Sequence, residues 1–129
     1  MTTTLTEKLQ LKPGQRMLVQ NVPSRYFERL VVDLPQASLD LEQADALLLF
    51  VGSLAEVAEL TPGAIKTAGL NGLLWIAYPK GGSGVNTDVN RDKLAAAVVE
   101  VTGWRAVRQV AIDEVWSALR FRPVELVGK

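Results

Sequence analysis

The chain has 129 residues, of which 48% are apolar and 22% charged, and its 14 basic and 14 acidic side chains cancel to zero net charge. This composition predicts one globular domain, spanning residues 1–129, that buries roughly two thirds of its unfolded surface. The sequence contains no cysteine and no histidine, which excludes disulfides, thiolate chemistry, Ser-His-Asp catalysis and His-ligated zinc; we expect no metal site.

The sequence predicts neither a membrane-spanning segment nor a secretory signal. No apolar run approaches the ~20 residues of a membrane span, and the N-terminal sequence MTTTLTEK lacks the basic and apolar regions of a secretory signal. We therefore expect a cytoplasmic protein that does not associate with a membrane. Residues 1–4 are expected to form a disordered tail.

Four segments predict strands. Three are continuous apolar runs bounded by turn residues, as in strands that are buried on both faces. These are Met17–Val22, Ala46–Val51 and Leu73–Tyr78. Ala37–Leu41 predicts a short strand at the edge of the sheet.

Helix starts are predicted from capping residues. Thr6 is expected to cap a first short turn, and Ser24, after Pro23, a second helix. Ser53 and Glu56 predict a capping box for the third helix, which either kinks at Thr61-Pro62 or begins a second piece there. The last helix is expected to begin at Thr87 or Asp88, with an inner stripe of Leu94, Ala97, Val98 and Val101.

Two β-rich runs end the chain, Trp104–Ile112 and Val115–Arg122, and they flank Asp113-Glu114. They predict an antiparallel hairpin. With the preceding elements, this pattern predicts an α/β fold in which right-handed crossovers join parallel strands and the hairpin completes the sheet.

Three stretches resemble class I methyltransferases. Leu11–Val19 (LKPGQRMLV) is similar to the lead-in to their first strand, Ala44–Leu49 (ADALLL) to their fourth strand, and Asn71–Ile76 (NGLLWI) to their fifth. The resemblance implies a Rossmann-like, mostly parallel sheet with helices on both faces and a C-terminal antiparallel β-hairpin. The chain is too short after the first strand for two of that family's βα units, so the fold is expected to be shortened.

The cofactor expected from that family is S-adenosylmethionine, but the first strand is followed by Asn21–Tyr26 (NVPSRY), which contains no glycine. We therefore expect no cofactor. More closely, Pro79–Gly84 (PKGGSG), Thr87–Asp92 (TDVNRD) and Asp113–Phe121 (DEVWSALRF) resemble small uncharacterised bacterial proteins related to truncated methyltransferase-like domains. That resemblance implies a fold and no established activity.

Candidate ligand-binding residues lie where the parallel strands end, because open α/β sheets bind ligands beyond the carboxyl ends of their strands. Lys80 supplies a charge, the glycines after it permit close backbone approach, and the next helix start supplies amides. Together they predict a phosphate or carboxylate site; the alternative is a surface loop in which Asp88 is an ordinary cap. The candidates are Asn21, Lys80, Gly81, Gly82, Ser83, Gly84, Thr87 and Asp88.

Trp116 and Arg120 are further candidates, since they share a face of the last strand and the arginine could stack beside the indole and face an anion. Asp113 and Glu114 are either a general-base pair or solvated turn residues. No catalytic residue is assigned.

Three functions remain open. The sequence favours a non-catalytic binding or interaction domain, with a small anionic ligand and a homo-oligomer as possible partners. The alternative is an enzyme that acts on a small anionic substrate through Lys80. Weak nucleic-acid binding through the hairpin arginines is the third, and zero net charge with 6% aromatic residues counts against it.

Overall fold

The computed structural model describes residues 4–23, 25–41, 44–68, 73–80 and 87–123. Their helices are α1 (Leu5–Lys8), α2 (Tyr26–Asp33), α3 (Leu54–Ala68) and α4 (Arg91–Thr102). Their strands are β1 (Met17–Gln20), β2 (Ala37–Ser38), β3 (Ala46–Phe50), β4 (Leu73–Pro79), β5 (Trp104–Ala111) and β6 (Trp116–Pro123). No helix within these ranges is both long and apolar enough to cross a bilayer.

The six strands form one sheet in the order β2-β1-β3-β4-β6-β5. The first four are parallel to their neighbours, whereas β6 runs antiparallel to both β4 and β5. The structure thus confirms the predicted α/β fold, with a mostly parallel sheet and a C-terminal antiparallel hairpin. Since α2 leads from β1 to β2 and α3 from β3 to β4, the crossovers diverge between β1 and β3, and this divergence creates a topological switch point.

Two apolar layers hold the helices on opposite faces of the sheet. Alternate residues of β3 point into different layers: Leu47 and Leu49 pack with α3 and α4, whereas Leu48 and Phe50 pack with α1 and α2. Every residue of β3 is buried, which explains why its sequence is a continuous apolar run rather than an alternating one. Helices on both faces were predicted, and the structure confirms them.

The first two helices do not begin at the predicted caps. Thr4 caps α1 through a capping box with Glu7, so the cap is not Thr6 and Thr4 belongs to the folded chain. Arg25 precedes α2 in the left-handed region, with φ of 70°, and makes no side-chain cap bond. Ser24, the predicted cap, lies outside the described residues.

The third helix is continuous through Pro62, so the predicted alternative of a second helix beginning at Thr61-Pro62 is wrong. Its start is close to the predicted capping box: Ser53 accepts from the amide of Glu56 at 3.2 Å. The Glu56 carboxylate, however, accepts from the amide of Gly52 at 2.7 Å. The reciprocal bond therefore falls one residue earlier than predicted.

The fourth helix begins later than predicted because Asn90 is its cap and accepts from the amide of Lys93 at 2.9 Å. Thr87 and Asp88 lie before it; Asp88 bonds to the first residue of α3 and Thr87 bonds to Gly52, which precedes α3. Gly103 ends the helix with φ of 80°, as its position predicts. Val101, predicted to face the core, is 44% exposed, so the inner face of α4 does not include it.

Candidate functional site

Lys80 and Trp116 each line a different cavity at the edge of the sheet where the parallel strands end. The larger, of about 410 Å³, is called the Lys80 pocket and is lined by Tyr78, Lys80, Asn90, Arg91, Asp92, Gln109 and Ser117. The smaller, of about 260 Å³, is called the switch crevice and is lined by Asn21, Val22, Pro23, Phe50, Val51, Gly52, Glu56 and Trp116. The switch crevice lies where the crossovers diverge.

Strand pairing builds the floor of the Lys80 pocket. Tyr78 of β4 pairs in register with Ser117 of β6, and its hydroxyl accepts from the Gln109 side chain of β5 at 3.0 Å. The backbone amide of Lys80 donates to the Val115 carbonyl at 2.7 Å, which fixes where the lysine leaves the sheet. The strands β4, β5 and β6 therefore each contribute a polar side chain to the floor of this pocket.

The start of α4 forms the other wall of the Lys80 pocket. Arg91 donates to the Asp92 carboxylate at 3.2 Å, but both side chains are largely exposed, so this ion pair contributes little stability. The backbone amides of Arg91 and Asp92 donate to no other described residue. With Lys80 and Arg91 against one carboxylate, the described lining carries a net positive charge.

Tyr78 is the polar group on which the chemistry of the Lys80 pocket depends. Burial raises its pKa, and hydrogen bonds from Ser117 and Gln109 and the charge of Arg91 only partly oppose this shift. The phenol is therefore protonated at neutral pH. In this state it donates or accepts hydrogen bonds and does not act as a general base.

The polar groups that line the switch crevice bond to one another, above all Asn21 and Glu56. Asn21, whose φ is 57°, donates to the Phe50 carbonyl at 2.8 Å and to the Glu56 carboxylate at 2.9 Å. The other oxygen of that carboxylate accepts from the amide of Gly52. The Glu56 carboxylate thus accepts hydrogen bonds from a donor beyond the end of β1 (the Asn21 side chain) and from one beyond the end of β3 (the Gly52 amide).

Two further groups beside the start of α3 are bonded to the segment before α4. Asp88 accepts from the amide of Leu54 at 2.8 Å, and Thr87 donates to the Gly52 carbonyl at 2.7 Å. The two predicted site residues therefore connect the segment before α4 to the junction between β3 and α3. They line neither cavity.

Trp116 lines the switch crevice but belongs largely to an aromatic cluster. It is 9% exposed, and its ring centroid lies 5.0 Å from that of Phe50 and 6.1 Å from that of Tyr26. Arg120 lies on the same face of β6 as Trp116, but the two residues are four positions apart, which separates them by about 13 Å along the strand. Arg120 instead donates to the Gln10 side chain at 2.7 Å, and it lines neither cavity.

Asp113 is a structural turn residue. Burial alone would raise its pKa, but hydrogen bonds from the Tyr26 hydroxyl and from the amides of Trp116 and Val115 hold that pKa below its usual range. The carboxylate is therefore ionised and fully engaged at neutral pH, which does not suit a general base. Among the described residues, no group of three or more carboxylates is placed to hold a metal ion.

The chain matches no protein-family model, and no curated protein sequence matches it. A chain of a fibrillarin/Nop5p complex superposes with a TM-score of 0.51 at 10% identity, covering 88% of this chain and 74% of that one. A protein of the NADB-Rossmann superfamily from Streptococcus agalactiae gives 0.50 at 11% identity, covering 95% and 70%. The fold is Rossmann-like. At these identities the similarity concerns the fold alone.

Rossmann-like folds commonly bind a nucleotide cofactor at the switch point, on backbone amides that follow the first strand. In this chain Pro23 supplies no amide, and the amides of Gly52 and Leu54 bond to Glu56 and Asp88. The crevice volume of about 260 Å³ is also below the usual range for ligand pockets. The residues present therefore do not fit S-adenosylmethionine or a dinucleotide.

Sequence reasoning identified only part of the Lys80 pocket of this Rossmann-like fold. Lys80 lines it, whereas Gly81, Gly82, Ser83 and Gly84 lie outside the described residues. The lining residues that the prediction missed are Tyr78, Asn90, Arg91, Asp92, Gln109 and Ser117. The hairpin pattern did place a strand around Ser117, but only the register of β6 against β4 shows that it reaches Tyr78.

Proposed function

We propose that this chain is a non-catalytic, shortened methyltransferase-like domain of the cytoplasm that binds a small phosphate- or carboxylate-bearing molecule in the Lys80 pocket. The observation that carries the proposal is the convergence of Lys80 and Arg91 with the polar groups of Tyr78, Gln109 and Ser117 on one cavity. Its position beyond the end of β4 is where open α/β sheets place their ligands.

Size and charge both support a small anion as the ligand. The volume of about 410 Å³ lies within the usual range of small-molecule sites. Two cations offer charge-assisted hydrogen bonds, which are stronger than neutral ones, and the amides of Arg91 and Asp92 donate to no acceptor in the part of the chain that the structure describes. The neighbouring phenol, amide and hydroxyl groups would orient the rest of the molecule.

Binding without catalysis is favoured over the enzyme alternative because the described pocket has no group suited to move protons at neutral pH. Tyr78 has a raised pKa, and the chain contains no histidine or cysteine. An enzyme acting here would have to rely on Lys80 or on the exposed carboxylate of Asp92. Asp92 pairs only with the exposed Arg91, and Lys80 forms no ion pair with a described residue.

Calorimetric titration with inorganic phosphate, citrate and nucleoside phosphates tests the proposal. Lys80→Ala and Arg91→Ala should each weaken binding by about tenfold or more, since each removes a charge-assisted contact. Lys66→Ala and Arg16→Ala are matched controls, because both side chains are exposed away from the pocket. Undetectable binding, or binding unchanged by Lys80→Ala and Arg91→Ala, would refute the proposal.

A further inference from the structure

The C-terminal hairpin carries four arginines on one face, called here the arginine face: Arg105, Arg108, Arg120 and Arg122. Arg105 pairs in register with Arg122, and Arg108 with Arg120. Arg105 and Arg108 are three residues apart and would point to opposite faces of a regular strand. The irregularity between Ala106 and Arg108 brings them to the same face.

The alternation of the neighbouring residues confirms this assignment. Trp116 and Ala118, in phase with Arg120 along β6, pack in the layer beneath α1 and α2, whereas Leu119 and Phe121 pack beneath α3 and α4. The arginine face therefore continues the α1 side of the sheet towards its outer edge. It lies apart from the Lys80 pocket, which Gln109 of β5 lines from the other face.

This arrangement costs stability. Like charges directly opposite each other on adjacent strands are destabilising, and here two such pairs are neighbours. Burial and the charges of Arg122 and Arg108 lower the pKa of Arg120. The described part of the chain places no carboxylate within ion-pair distance of these four side chains, and the buried Nε of Arg120 has no hydrogen-bond partner there.

We propose that the arginine face binds an extended acidic segment of a partner protein, with carboxylates at alternate positions. Unfavourable arrangements of this kind are expected at functional sites. A multiply charged anion would replace the repulsion between the arginines with attraction to its own charges. The partner is independent of the ligand proposed for the Lys80 pocket.

Spacing selects an extended peptide as the partner. Arg120 and Arg122 are two residues apart in a strand, which separates their positions by about 6.7 Å. Carboxylates at alternate positions of an extended peptide have the same separation, so each could meet one cross-strand arginine pair. The planar guanidinium fork also matches a carboxylate bidentately.

Other modes of binding fit the hairpin less well. An incoming strand would have to pair with the outer edge of β5, where the irregularity after Ala106 interrupts regular pairing. Single-stranded nucleic acid binds on aromatic side chains that stack with bases, and none of the aromatic residues that the structure describes is exposed. The observations therefore favour side-chain pairing with a peptide laid across the face.

Fluorescence anisotropy with a labelled peptide of alternating glutamate and threonine tests this inference. The double variant Arg105→Gln, Arg108→Gln should weaken binding by about tenfold, since both side chains are exposed contacts in this scheme. The variant Arg16→Gln, Lys66→Gln has the same change in net charge elsewhere on the surface and should bind as the wild type does. Binding should also weaken as salt is raised.

Two comparison probes determine which partner the face selects. A peptide of equal composition with its glutamates contiguous should bind more weakly than the alternating one, and a thymidine oligonucleotide should bind more weakly than both. Equal affinity for the two peptides would overturn the spacing argument, and tighter binding of the oligonucleotide would replace the protein partner with a nucleic acid. Loss of binding in the control variant would show that net charge alone is recognised. A melting curve of each variant confirms that it is folded.

Discussion

The carboxylate of Asp88 accepts a hydrogen bond from the backbone amide of Leu54 at 2.8 Å. Asp88 thus caps α3, a helix that begins 34 residues earlier in the chain, and leaves the capping of α4 to Asn90. The neighbouring bond from Thr87 to the Gly52 carbonyl strengthens the same connection. The segment before α4 is therefore fastened to the end of β3, beside both cavities.

Replacing Asp88 with alanine should lower the free energy of unfolding by about 1 kcal/mol, the usual value of a helix cap. Urea denaturation measures the change. Asp88→Asn retains an oxygen acceptor and should be close to the wild type. If the alanine and asparagine variants are equally destabilised, the charge matters rather than the capping bond, and if neither is destabilised the bond contributes nothing.

The strands could be predicted from the sequence because burial on both faces produces continuous apolar runs such as Ala46–Val51. Helix caps could not be predicted as well. A serine or aspartate before a helix was assigned to that helix, but Asp88 bonds to a remote one, and the cap of α2 has no side-chain bond at all.

The candidate site shows the same limit. Lys80 was predicted because it follows an apolar strand, whereas Gln109 and Ser117 reach the pocket through strand register. The arginine face depends on an irregularity after Ala106 that shifts the alternation of β5. No local pattern in the sequence specifies such a contact, because it is fixed only when the strands pair.

Tyr26 connects α2 to the hairpin turn, since its hydroxyl donates to the Asp113 carboxylate. Tyr26→Phe should lower the free energy of unfolding at neutral pH by about 1–2 kcal/mol, because one hydrogen bond to a charged group is lost. A double-mutant cycle with Asp113→Asn separates this bond from packing. A coupling energy of zero would show that the two side chains do not interact.

The Tyr26 effect should depend on pH. The pKa of Asp113 is lower in the folded protein than its usual value, so the carboxylate contributes stability above the unfolded pKa of about 3.9 and loses it as the pH falls through the folded value. The unfolding free energies of wild type and Tyr26→Phe should therefore converge in acid. A difference that stays constant from neutral pH into acid would contradict the assignment.

Trp75 anchors α1 from the core of the sheet. It is fully buried, and its indole nitrogen donates to the Leu9 carbonyl at 3.1 Å. Trp75→Phe leaves that carbonyl unpaired and opens a cavity, so we expect a loss of about 2–4 kcal/mol in unfolding free energy. Hydrogen exchange at the amide of Leu9, which donates to Leu5, should accelerate.

Trp104→Phe is the matched control for that substitution. Trp104 is also buried, but its indole donates to no residue in the described ranges, so only packing is lost. Trp104→Phe should leave the exchange of the Leu9 amide unchanged relative to global unfolding. If both variants accelerate that exchange equally, the bond to Leu9 does not hold α1 in place.

S-adenosylmethionine should not bind to this protein with useful affinity, although the fold is Rossmann-like. The methionine carboxylate of the cofactor would need free amides at the switch crevice, where Pro23 has none and Gly52 already donates to Glu56. The Glu56 carboxylate would also repel it. Calorimetric titration with S-adenosylmethionine and S-adenosylhomocysteine should show no heat of binding in the micromolar range. Micromolar binding of either compound would contradict this expectation, and its loss in Asn21→Ala but not in Lys80→Ala would place the cofactor in the switch crevice.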